Sequence, residues 1–102
     1  MDLSSRPYRL KLLWRMVPLL SSDKVISGVE VFCNDHVIAL NRTAGVIWQF
    51  CDGTHPIREI IECIQTLFPE IENEVLAADI KRFLRLADVR GLLVLDWKPL
   101  PD

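Results

Sequence analysis

The spacing of apolar residues changes once along this chain, and the change falls at Asn41. Before it, the chain reads as strands, with apolar side chains at every second residue from Tyr8 to Met16 and a β-branched run from Val25 to Phe32. After it, apolar side chains recur at every third and fourth. A period of two belongs to a strand with one buried face, and a period near 3.6 to an amphipathic helix. The stretch "VIALNRTAGVIWQFCDG", Val37 to Gly53, holds the switch: it opens as a strand, passes Asn41 and Thr43, runs on as a helix and stops at a glycine. Strands come first and helices follow, which is the order of an α+β fold.

The strands follow from alternation. Residues Met1 to Pro7 read as a frayed start. From Tyr8, the residues Tyr8, Leu10, Leu12, Trp14 and Met16 point one way, and Arg9, Lys11 and Arg15 the other, with Leu13 the exception. This predicts one strand with one buried face. Pro18 to Lys24 reads as a loop. Val25 to Phe32 is rich in β-branched residues and predicts a second strand, with a bulge or bend at Gly28. Asn34-Asp35 makes a tight turn, and His36 to Leu40 returns as a third strand paired with the second.

The helices follow from their caps and stripes. Asn41 or Thr43 can accept the free N–H groups of a first helix, about Thr43 to Cys51, which puts Ala44, Ile47, Trp48 and Cys51 on one face. Gly53 supplies its left-handed stop. Pro56 opens a second helix striped by Ile57, Ile60, Ile61, Ile64, Leu67 and Phe68. Asn73 is the expected cap of a third helix ending before Gly91, and Leu92 to Leu95 can add a short last strand. A three-stranded antiparallel sheet followed by three helices is the layout of a winged helix-turn-helix.

Composition bounds the rest. One domain over residues 1–102 is expected, with a core over about 8–95 and loose ends at 1–7 and 96–102. The net charge of −2 gives no reason to expect nucleic acid or an anionic membrane as a partner. The three cysteines, Cys33, Cys51 and Cys63, make no disulfide framework and fit a reducing, cytoplasmic setting. "YRLKLLWRMVPLL" is basic and apolar, but Lys11, Arg15 and Pro18 break it as a signal peptide. No apolar run is long enough to span a bilayer.

A set of short motifs, in order, carries a family resemblance: "LN" at 40–41 with "TA" at 43–44, "CDG" at 51–53, "EII" at 59–61, "DI" at 79–80 with "FL" at 83–84, and "GLL" at 91–93. At these spacings the chain resembles the PqqD family of pyrroloquinoline quinone (PQQ) biosynthesis over about Gly28 to Leu93. That family is the prototype of the RiPP recognition element, the module that captures leader peptides of ribosomally made, modified peptides. Pro56 stands where the family usually places a capping Thr or Ser. The resemblance implies a non-catalytic peptide chaperone without a cofactor. Its partners would be a precursor (leader) peptide and a radical SAM or other peptide-modifying enzyme.

Such a resemblance also implies a site. The leader would add as a strand on the free backbone edge of His36, Val37, Ile38, Ala39 and Leu40, where unpaired N–H and C=O groups become the binding surface. Its side chains would rest against the third helix. At 100° per residue, Leu76, Ile80, Phe83, Leu84 and Ala87 share the core face of that helix. Val75, Asp79, Arg82, Leu86 and Val89 form the adjacent face, expected to line the groove, with Arg82 meeting an acidic leader residue. Lys81, Arg85 and Asp88 lie opposite. The same open edge invites a homodimer.

Three rival constellations are set beside this reading. Cys33, His36, Cys51 and His55 supply four zinc ligands of suitable type, but their spacing is not that of a standard finger, and buried cysteine usually serves as a small apolar residue. A winged-helix DNA-binding regulator needs a basic recognition helix. Here Lys81, Arg82, Arg85 and Arg90 are offset by Glu74, Asp79 and Asp88. A stand-alone enzyme needs a nucleophile or acid–base arrangement, and His36 and His55, the only histidines, sit in none.

Overall fold

The computed structural model describes residues 1–10, 12–19, 22–33 and 36–97, without the side chains of 18, 19, 22–27 and 36. The elements in chain order are β1 (Tyr8–Arg9), β2 (Leu13–Leu19), β3 (Ser22–Cys33), β4 (His36–Asn41), α1 (Arg42–Phe50), α2 (Ile57–Leu67), α3 (Asn73–Val89) and β5 (Leu93–Val94). β2, β3 and β4 form an antiparallel sheet in that order, with β3 in the middle, and the three helices follow it. The fold is α+β, as the change of period requires.

The expected first strand is divided. Tyr8–Arg9 leaves the main sheet and pairs antiparallel with β5, Tyr8 opposite Val94 and Arg9 opposite Leu93. The cause is local. Arg9 sends its guanidinium to the last carbonyls of α1, Trp48 at 2.9 Å and Gln49 at 2.8 Å. α1 has no basic residue in its own last turn, so β1 provides the cation that a helix C-terminus favours. Alternation continues through both pieces, so the pattern gave the strand character but not the break. The stretch expected as a loop, Pro18 to Lys24, is largely strand: β2 runs to Leu19 and β3 starts at Ser22, with residues 20–21 outside the described part. The turn at Asn34-Asp35 also lies outside it.

The core sits between the inner sheet face and the helices. Val29 and Val31 on β3 are buried beneath Ile47 and Trp48 of α1, and the stripe Ile57, Ile60, Ile61 and Ile64 of α2 closes over them with Leu76, Ile80 and Leu84 of α3. Two glycines set the spacing. A side chain at Gly45 would meet Val29 Cγ2 at 2.9 Å, and one at Gly28 would collide with the backbone carbonyl of Leu40. Gly28 also stands beside a register break, because Val17 faces Gly28 while Pro18 faces Ile26.

Capping differs in detail from the expectation. Asn41 caps α1 as read, its Oδ1 accepting from Ala44 N at 2.8 Å. Asn73 is the first residue of α3 rather than its cap, and Glu72 in the cap position makes no side-chain bond. Pro56 leaves α2 without a side-chain cap. The N-terminal segment, read as loose, fills that role: Ile57 N donates to Ser5 O at 2.9 Å and Arg58 N to Leu3 O at 3.0 Å. These are the donors that a helix start leaves unpaired. α3 ends in a Schellman turn, with Gly91 N donating to Asp88 O at 3.0 Å and Leu92 N to Ala87 O at 2.9 Å.

The Gly28→Ala variant should lose about 2 kcal/mol, because the added methyl meets rigid backbone rather than a side chain that can turn away. Urea unfolding followed by circular dichroism measures this.

Candidate functional site

The main sheet has two outer strands, and their edges differ. β2 carries Arg15 in its middle, paired with Glu30 at 2.6 Å, and its register breaks twice around Pro18. A charge, a proline and a bulge are the devices that stop an edge from pairing further. β4 has none of them within its run. Its register with β3 is unbroken from Gly28–Asn41 to Cys33–His36, and no other strand among the described residues pairs with it.

The backbone groups of β4 can be assigned to sides. The Leu40 carbonyl reaches toward Gly28, so it points into the sheet. Along an antiparallel strand, successive residues turn their N–H and C=O to opposite sides. Val37 and Ala39 therefore present theirs to the open edge. Their side chains are exposed on the outer sheet face, whereas Ile38 and Leu40 are half-buried against the core. His36 belongs to β4, and its side chain lies outside the described part.

A groove of about 350 Å³ opens beside the end of β4. One wall is the strand-to-helix junction, with Asn41, Thr43, Ala44 and Ile47. The other is α3, with Leu76, Asp79, Arg82, Phe83 and Leu86, and Ile71 closes it from the α2–α3 turn. Of the five α3 residues expected to line a groove, Asp79, Arg82 and Leu86 do. Val75 and Val89 do not: they lie toward the two ends of a helix longer than the groove, exposed by 50% and 83%. Phe83, expected in the core, is only partly buried and lines the groove. Its place four residues after Asp79 was a signal that it could share that face. The junction side of the groove depends on how α1 turns back over the sheet, which no local pattern encodes.

Of the four zinc candidates, Cys33, Cys51 and His55 form no cluster, and the side chain of His36 lies outside the described part. Cys33 ends β3, while Cys51 is sealed beneath α1 with its thiol donating to Ile47 O at 3.2 Å. Burial pushes the Cys51 thiol up to about 12. His55 instead faces Asp52 at 3.6 Å and Glu59 at 3.2 Å, with Phe50 edge-on to its ring. Among the described residues no group of three His, Cys, Asp or Glu side chains is placed to hold a metal ion. No described helix is long and apolar enough to cross a membrane.

Burial acts to raise the Asp52 carboxyl, but hydrogen bonds from the Thr54 hydroxyl and N–H, with His55 nearby, leave it below its ordinary 3.8. Its folded value is thus the lower one. The stability it contributes is present above the unfolded value and is lost as pH falls through the folded one.

Taken together, these features define a small α+β domain with one bare strand edge set beside an apolar groove. The chain belongs to the PqqD family: the family model described as coenzyme PQQ synthesis protein D matches residues 19–93. Proteins named PqqA binding protein from Acinetobacter baumannii strains AYE, ACICU and AB307-0294 are similar to it. Each is 32% identical over 66 residues, which cover 62% of this chain and 70% of the relative. No solved structure gives a significant match.

Two outcomes follow from the burial and charge at this end of the molecule. Iodoacetamide at pH 8 should alkylate Cys33 and Cys63 in the native protein and leave Cys51 unmodified until urea is added, as read by intact mass. Thermal melts between pH 5 and pH 2.5 should fall less steeply for Asp52→Asn than for the parent.

Proposed function

We propose that this protein is a non-catalytic peptide-binding domain of PQQ synthesis. It captures the leader segment of a PqqA-type precursor peptide by strand addition and presents that peptide to a radical SAM or other modifying enzyme. The domain is the whole of residues 1–102, and it works without a cofactor. The observation that carries the reading is the contrast between the two sheet edges: β2 is guarded, and β4 is left flat and open. Strand addition draws its affinity from main-chain hydrogen bonds and its selectivity from pockets for alternate side chains.

The backbone edge from His36 to Leu40 is the proposed pairing strand, through the outward groups of Val37 and Ala39. An added strand turns every second side chain toward the helices. There Asp79, Arg82, Leu86 and Phe83 form the α3 wall of the groove. Val75 and Val89 lie beyond it, where a longer peptide reaches the ends of α3. The relatives' name supports a PqqA peptide as the partner, and the family description supports the pathway.

An NMR titration of labelled protein with synthetic PqqA peptide tests the reading. Amide shifts should concentrate on 36–41 and on α3. Shifts confined to β2, or none at millimolar peptide, would sink it. Ala39→Pro removes one outward N–H and leaves the β3–β4 ladder intact. It should weaken peptide binding about tenfold, given one lost hydrogen bond and a ring placed in the pairing edge. A second copy of the chain can pair with the same edge. Sedimentation velocity would then show a dimer that Ala39→Pro dissociates.

A further inference from the structure

We propose that Arg82 reads charge in this groove, and that the bound segment carries an acidic side chain two residues from a large apolar one. The inference rests on the peptide-binding reading and specifies the peptide. The groove floor is apolar, and among the described residues lining it only Asp79 and Arg82 are charged. They pair with each other, Arg82 Nη2 to Asp79 Oδ1 at 2.9 Å. That bond uses one of the five donors of a guanidinium. It fixes the group at the rim, and the remaining fork matches a carboxylate bidentately.

The opposite wall has the same sign. Asn41, Thr43 and Ala44 are the start of α1, where the helix dipole favours negative charge, with the Ala44 N–H itself taken by Asn41 Oδ1. The first turn of α1 holds no acidic residue. Asp79 is thus the single negative group among the described residues of a groove whose two walls otherwise favour an anion. An extended peptide turns residues i and i+2 to one face. An acid at one of these positions meets Arg82 while an apolar side chain at the other enters between Ile47, Leu76 and Phe83. A basic residue in the same place has only Asp79, which Arg82 already holds.

Fluorescence anisotropy with labelled synthetic PqqA peptide tests this, using a series in which each Asp or Glu is replaced singly by its amide. Arg82 is an exposed helix residue, so Arg82→Gln should fold as the parent does. One amide peptide should bind the parent protein about tenfold more weakly, the scale of a hydrogen bond to a charged group. The same change should cost nothing against Arg82→Gln. Placing Lys at that position should restore binding to Arg82→Glu. If every amide peptide binds both proteins as the unmodified peptide does, Arg82 reads nothing, and strand addition stands without it. If the unmodified peptide does not bind the parent protein, the peptide-binding reading itself fails and the inference falls with it.

Discussion

The contact between β3 and α1 decides the rest of this molecule. Val29 and Val31 are sealed under Ile47 and Trp48, and Gly45 lets the helix come within van der Waals contact of the strand. With one sheet face covered that closely, helices cannot also wrap the outer strands. β4 is held firmly by its partner on one side, because the Gly28–Leu40 approach allows no slack. Only at its last residue, Asn41, does it meet the groove whose far wall is α3. The groove is thus a consequence of how tightly the centre closes.

The two outer strands illustrate how a sheet limits its own growth. β2 spends Arg15 and Pro18 on a strand whose other residues are mostly apolar. Leu13 and Met16 remain exposed there by 79% and 52%, so without such guards β2 would be a strong template for another chain. A protein that blunts one edge and keeps another flat has separated self-protection from exposure within a single three-stranded sheet. Outward Val37 lies in register with Phe32 and Leu13, so an incoming strand would continue that apolar row on the solvent face.

Much of this fold was legible in the sequence, and for physical reasons. The alternation before Asn41 and the helical stripe after it mark the elements. Yet Leu10 and Met16 on the strand face expected to be buried, and Leu67 of the α2 stripe, are exposed by 38%, 52% and 53%, because they lie beyond the reach of the packed core. Asn41, Gly53 and Gly91 mark element ends through local backbone chemistry. What alternation cannot report is the partner of a strand. Tyr8 and Arg9 keep the period of β2, yet pair with β5, because the guanidinium of Arg9 is drawn to carbonyls some forty residues away. The first seven residues looked loose because the carbonyls of Leu3 and Ser5 serve α2 and those of Arg6 and Pro7 accept from Trp97 and Gly53, and such service leaves no pattern in side chains. The α3 half of the groove was readable from helical spacing. The Asn41–Ile47 half was not, since it exists only once α1 has folded back.

The flanks of the family match meet each other. Trp97 N donates to Arg6 O at 3.0 Å, and the rings of Trp97 and Tyr8 stack with centroids 4.9 Å apart, beside the two-residue pairing of β1 with β5. The chain therefore enters and leaves the domain at one place. A force applied through both flanks would pull on that short clasp in an unzipping direction, one hydrogen bond at a time. The long ladders of β2, β3 and β4 would carry no load until it had opened. Mechanically, the clasp is a fuse that leaves β4 undisturbed when the protein is tethered at both ends.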